Sequence, residues 1–120
     1  MAQLADELAR FGYSVRPVEV RSCLHLKSAC CYAGDQTILA NGNWIDTSIF
    51  RGFRIVDVPR NEPRAANVLA IGETVLVPAA FPATAELLQG LGRKVRTLDI
   101  SELMKAEAGL TCSSILFDKV

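Results

Sequence analysis

Hydrophobic and polar positions alternate along this 120-residue chain with two periods, and the changes from one to the other mark out the elements. Residues 2–11 place Leu4, Leu8 and Phe11 on one helical face with Asp6, Glu7 and Arg10 opposite, and Gly12 supplies the stop. The period drops to two over 13–20, where Val15, Val18 and Val20 predict a strand held to an edge or end position by Pro17. Residues 21–33 read as a longer extended segment with Cys23, His25 and Lys27 on one face and Leu24, Leu26 and Ser28 on the other. Gly34-Asp35 is a hairpin turn signal, 36–40 the return strand, Asn41-Gly42-Asn43 its closure, 44–50 a short helix and 53–58 a strand. A polar loop follows over 59–64, with Arg60, Glu62 and Arg64 read as a solvated face.

The same order then recurs. Residues 65–71 predict a strand, Gly72-Glu73 a second hairpin turn, 74–77 its partner, 83–91 a helix burying Leu87, Leu88 and Leu91, and 94–98 a strand with Arg93, Lys94 and Arg96 on its wet side. Asp99 or Ser101 can cap a last helical turn over 101–104, and 110–117 reads as a final apolar strand. The pattern is helix-strand, then strand-strand-helix-strand twice at a period of about 40 residues, then one strand. It predicts an α/β fold of repeated modules: a half-module 1–20, modules 21–58 and 65–98, and a terminal turn and strand 99–120 within one domain.

Composition narrows the function. Thirteen basic and thirteen acidic residues leave a formal net charge of zero, so no overall field draws the chain to nucleic acid or an anionic membrane. The first residues lack the basic start and continuous apolar stretch of a signal peptide, and no later run approaches a membrane span, which places the chain in the cytoplasm as an expectation. The four cysteines, at 23, 30, 31 and 112, show no paired metal spacing; neighbours in a strand point to opposite faces, so reduced thiols are expected.

Two residues carry candidate chemistry. Cys112 opens the last predicted strand within Thr-Cys-Ser-Ser, where a thiol can be a nucleophile or an inert core residue. His25 is the only histidine, and on a strand face it can be catalytic or simply hydrogen-bonded in place. Together they offer two metal ligands where structural zinc takes four, so neither a metal nor a cofactor is expected.

Leu24-His25-Leu26-Lys27-Ser28, then Val56-Asp57-Val58-Pro59 with Ala66-Asn67, then Gly109-Leu110-Thr111-Cys112-Ser113, in this order, resemble the C-terminal half of the dimethylarginine dimethylaminohydrolases, members of the amidinotransferase, or pentein, superfamily. The resemblance implies about half of a five-module α/β propeller and hydrolysis of methylarginine to citrulline and an amine. It carries two catalytic roles onto this chain, Cys112 as nucleophile and His25 as acid and base. It also implies that Ser28, the backbone near Ala106, Thr111 and Ser113 help hold the substrate. A resonance-stabilised guanidinium is a poor electrophile and calls for a thiolate, which is why cysteine suits the role better than serine. By the same resemblance, the carboxylates that orient the histidine and grip the guanidinium, and the arginines that bind the substrate carboxylate, lie before the region corresponding to Met1. The chain alone is therefore expected to be inactive, and to self-associate or take a complementing N-terminal half. A non-catalytic oligomerising or binding module is the alternative.

Overall fold

The computed structural model describes residues 2–117. Two three-stranded sheets carry the fold, and they repeat one topology. In the first, β1 (Cys30–Tyr32) pairs antiparallel with β2 (Thr37–Ala40), which pairs parallel with β3 (Arg54–Asp57). In the second, β4 (Leu69–Ile71) pairs antiparallel with β5 (Thr74–Pro78), which pairs parallel with β6 (Lys94–Leu98). The register is Cys31 opposite Leu39 in one hairpin and Ala70 opposite Val75 in the other. The helices are α1 (Ala2–Ala9), α2 (Leu26–Ala29), α3 (Pro82–Gly90) and α4 (Ser101–Lys105).

The larger core lies between the sheets and α3. Cys31 and Leu39 meet Val68, Val75 and Val77 there, with Ala85 and Leu88 of α3 closing the layer. Leu87 and Leu91 pack at its margin, as the leucine spacing predicted. A smaller core takes the opposite side of the first hairpin, where Cys30, Ile38 and Ala40 join Ala29 and Ile45. Successive residues of a strand face opposite ways, so Cys30 and Cys31 belong to different cores, and both are free thiols.

The segment 59–64 is not a solvated face. Glu62 is buried, and its carboxylate accepts from the N–H groups of Ala83 and Thr84 at 2.8 Å each and from Thr84 Oγ1 at 2.6 Å. Those are donors that the first turn of α3 cannot satisfy by itself, and an anion there also meets the positive end of the helix dipole. Phe81, at the start of α3, makes no side-chain cap, so the cap comes from 21 and 22 residues upstream of the N–H groups it serves. Arg93 departs from the wet side as well. It is half-buried, and its guanidinium lies over Gly34, where an added Cβ would fall 2.1 Å from Arg93 Nη2.

Four other expectations are corrected. Residues 13–20 form no strand; Val20 alone makes an isolated bridge to Ile45. The segment 44–50 contributes one 3-10 turn, Thr47–Ile49, capped by Asp46 Oδ1 accepting from the Ser48 N–H at 2.9 Å. The extended segment 21–33 shrinks to β1, because its partner β2 ends at Ala40 opposite Cys30, and beyond that point the Asn41 N–H closes onto the Ala29 carbonyl at 2.8 Å. Without further ladder partners Leu26–Ala29 winds into a helical turn, and Leu24 stays exposed. Last, 110–117 is a turn followed by irregular chain. Ser114 Oγ donates to the Leu110 carbonyl at 2.7 Å, and no strand among the described residues pairs with the segment.

Candidate functional site

A cavity of about 330 Å³ opens where α2, α4 and the 109–114 turn converge. His25 reaches it from the N-terminal end of α2, with extended backbone (φ −124°, ψ 143°) and a carbonyl that accepts from the Ser28 N–H at 3.0 Å. Ser28 lies one turn further along and lines the cavity too. Cys112 enters from the opposite end of the chain, exposed on the turn that Gly109 begins. Trp44, Phe81, Ile100 and Met104 supply apolar wall.

The turn that carries Cys112 is fixed by one side chain. Asn67, just ahead of β4 and nearly buried, accepts from the Thr111 N–H at 3.1 Å through Oδ1, and its Nδ2 donates to Thr111 Oγ1 at 3.0 Å. The approach is close enough that only glycine fits at 109: an added Cβ would sit 2.6 Å from Asn67 Cγ. These contacts span 44 residues and tie the thiol's turn to the second sheet. Asp99 Oδ1 accepts from the Ser101 N–H at 2.9 Å and starts α4, and that bond holds its carboxyl below the usual carboxylate range. Glu107, with φ +56°, turns the chain back after α4 into the cavity wall.

Not every residue drawn from the resemblance meets in this space. Cys112, His25 and Ser28 line it. Ala106 ends α4 and does not line it, although its neighbours Glu107 and Ala108 do. Thr111 turns away, onto Asn67 and into a shallow depression shared with Cys31, Val68 and Leu116. Ser113 donates its N–H to the Gly109 carbonyl at 3.3 Å and lies outside the lining. Two contributors were missed in the sequence: Asn67, quoted there only as part of a motif, and Arg64, assigned to solvent although it lines the cavity. A polar residue beside buried Ala65 and Ala66 was the available sign for each.

The remaining thiols are suppressed by burial. Cys30 is pushed up to about 11, chiefly by desolvation and further by the neighbouring thiols of Cys31 and Cys23. Cys31 and Cys23 are raised for the same first reason. What the cavity assembles is two thiols, an imidazole, two hydroxyls, an amide, one cation and one carboxylate between apolar walls, groups able to hold a small polar molecule.

No protein-family model matches the sequence. The chain is 34% identical over 115 residues to an N(G),N(G)-dimethylarginine dimethylaminohydrolase of Pseudomonas aeruginosa, which covers 96% of this chain and 45% of that enzyme. It is 38% identical over 114 residues to a Streptomyces coelicolor protein of the same name, covering 94% and 43%. The chain thus spans slightly less than half the length of these relatives. Among solved structures, a cysteine-to-serine variant of the Pseudomonas aeruginosa enzyme in complex with citrulline superposes with a TM-score of 0.83 at 32% identity, over 92% of this chain and 44% of that one. A histidine-to-glycine variant of dimethylarginine dimethylaminohydrolase, an adduct with S-methyl-L-thiocitrulline, superposes at 0.84. The substituted cysteine and histidine of these two structures are numbered 87 positions apart, as are Cys112 and His25. An inosamine-phosphate amidinotransferase from Streptomyces griseus shares the fold at a TM-score of 0.77 and 16% identity. Over nearly all of its length, in sequence and in backbone, the chain resembles the C-terminal half of dimethylarginine dimethylaminohydrolase.

Proposed function

We propose that the chain is the thiol-and-imidazole half of a hydrolase acting on guanidino groups, with Cys112 as nucleophile and His25 as acid and base. The observation that carries the reading is the convergence of these two residues, 87 positions apart, on one cavity with apolar walls. The Cys112 thiolate attacks the guanidinium carbon of a methylarginine, forming a C–S bond. The tetrahedral adduct expels the methylated amine, which takes a proton from His25, and leaves a thiouronium on the sulfur. His25 then removes a proton from water as its oxygen attacks the same carbon, and the C–S bond breaks to return the thiolate and release citrulline. Ser28, which lines the cavity, would help hold the amino-acid end of the substrate, while Thr111, bound to Asn67, would act only by fixing the turn that presents Cys112.

Turnover needs groups that this chain does not bring. A guanidinium in the cavity meets one carboxylate, Glu107, and desolvating a cation without firm acidic partners costs several kcal/mol. We assign those groups to a second polypeptide or an N-terminal portion, which would complete the five-module ring. In this reading the two repeated sheets support the division into modules 21–58 and 65–98, with half-module 1–20 and segment 99–120 as the unfinished ends. An uncovered apolar flank supports this. No residue of α1 is buried, and Phe11, Leu24, Ile115 and Phe117 are 75–88% exposed.

Citrulline release from methylarginine tests the reading. We expect little or none from the chain alone and turnover once the N-terminal half of a relative is added, abolished by Cys112→Ser. Loss of each catalytic group removes several powers of ten in rate. Robust turnover by the chain alone would sink the account of the absent groups. Stable association with that half but no turnover would favour the alternative, a binding module that keeps the fold without the chemistry.

A further inference from the structure

Two thiols line the cavity, and hydrolysis employs only Cys112. The other, Cys23, stands two residues ahead of His25, and its thiol donates to the His25 carbonyl at 3.5 Å. Cys30 and Cys31 are buried in separate cores, and neither lines the cavity. A disulfide brings two Cα atoms to about 5.5–6 Å, so at least one of the pair must be free to approach the other. The Cys112 turn is tied to Asn67, but the segment that bears Cys23 can give way. Its fixed points are the Arg21 N–H, donated to the Trp44 carbonyl at 2.7 Å, and α2. Between them the backbone N–H groups of residues 22–25 make no hydrogen bond among the described residues. Ser22 there is held at φ +58°, and Leu24 is exposed.

We propose that Cys23 is a resolving thiol for Cys112: with a small disulfide such as oxidised glutathione, the two sulfurs close a reversible bond that withdraws Cys112 from nucleophilic use. The Cys112 thiolate attacks one sulfur of oxidised glutathione, forming a mixed disulfide and expelling a glutathione thiolate. The Cys23 thiolate then attacks the Cys112 sulfur, and the Cys23–Cys112 bond forms as the bond to glutathione breaks. Oxidised glutathione gains the two electrons that the protein thiols lose, and each thiol proton ends on a released glutathione. Burial keeps Cys23 protonated, which leaves the first attack to exposed Cys112. Confinement to one cavity then gives the second attack an effective concentration on the order of millimolar or more. That this bond would halt a hydrolase rests on the reading of Cys112 given above; the bond itself does not.

The test is to incubate the reduced chain with oxidised glutathione, block remaining thiols with N-ethylmaleimide and read the products by mass. Trypsin separates the thiols, with Cys23 in peptide 22–27, Cys30 and Cys31 in 28–51 and Cys112 in 106–119. Peptide 22–27 should be joined to 106–119, in a product that keeps the mass of one polypeptide and reverts with dithiothreitol. Glutathione left on Cys112 should be at least about tenfold less abundant than in Cys23→Ser, where no second thiol displaces it. In concentrated guanidinium chloride the links should spread to 28–51, because the choice of partner comes from the fold. That control decides the matter even where Cys23→Ser folds poorly. Links from 106–119 chiefly to 28–51 in the folded chain, equal selectivity in the denatured chain, or a glutathione adduct as abundant with Cys23 as without it would overturn the proposal. So would a Cys112 left unmodified. Absence of turnover with an added N-terminal half would overturn the hydrolase reading alone, since the link needs no substrate.

Discussion

The two sheets share strand order and strand sense but differ in how the parallel strand is reached. In the second sheet the crossover is α3, nine residues long, with Leu88 in the core and its first turn held by Glu62. In the first it is a loop with a single 3-10 turn, held by Asp46 at the surface. The difference teaches that the repeat resides in the ladder and not in the connection. A parallel pair needs a crossover long enough to return, and either a packed helix or a wrapped loop will do. The hairpin turns differ in the same way. Gly34 and Gly72 both have positive φ, yet Gly34 lies beneath Arg93 and Gly72 faces open space.

Removing the caps should break the likeness most. Glu62→Ala leaves the N–H and hydroxyl of fully buried Thr84 without partners, and we expect a loss of about 2–4 kcal/mol in urea unfolding. Asp46→Ala should barely shift the midpoint, since its partner Ser48 can turn to water. Equal losses would mean that the two crossovers matter alike. A smaller contrast is expected at the turns. Gly72→Ala should cost about 1 kcal/mol for placing a Cβ in the left-handed region, and Gly34→Ala should cost that and more, because Arg93 must leave its seat.

The smallest effect concerns the thiols. Cys30 titrates near 11 in the fold against an ordinary value of 9.0, so the folded chain keeps a proton that the unfolded chain releases. Its contribution to stability is whole below pH 9 and is lost as the pH rises toward 11. A modest fall in Tm across that window, smaller in Cys30→Ala and not abolished because Cys31 and Cys23 are raised as well, would establish it. A flat profile would mean that the side chain reaches water more freely than its 7% exposure implies.

Much of this was legible in the chain. Both hairpins, α3 and β6 followed from period and turn chemistry, because each has a partner close in sequence. The failures have one physical cause. At 13–20, 21–29 and 110–117 the sequence reads as extended chain, but among the described residues no strand forms a ladder with those segments, and a pattern without a ladder does not make a strand. Cys112 and His25 were found by motif, and the cavity they line was found by folding. Glu62 and Asn67 were missed because their partners lie 21 to 44 residues away, and Arg64 because the cavity it lines is assembled only by folding. A charged residue between prolines reads as solvated until something is seen to cover it.

The first hairpin divides the two cores, and that has a consequence for cooperativity. Cys30, Ile38 and Ala40 face one core while Cys31 and Leu39 face the other, so a single pair of short strands is wall to both. Neither core can open at this hairpin without exposing the other, and the ladder is only three residue pairs long. Hydrogen exchange at the amides of Ala33, bonded to Thr37, and of Val58, bonded to Ala40, should therefore share one opening free energy, the global one, although they lie in different turns of the chain.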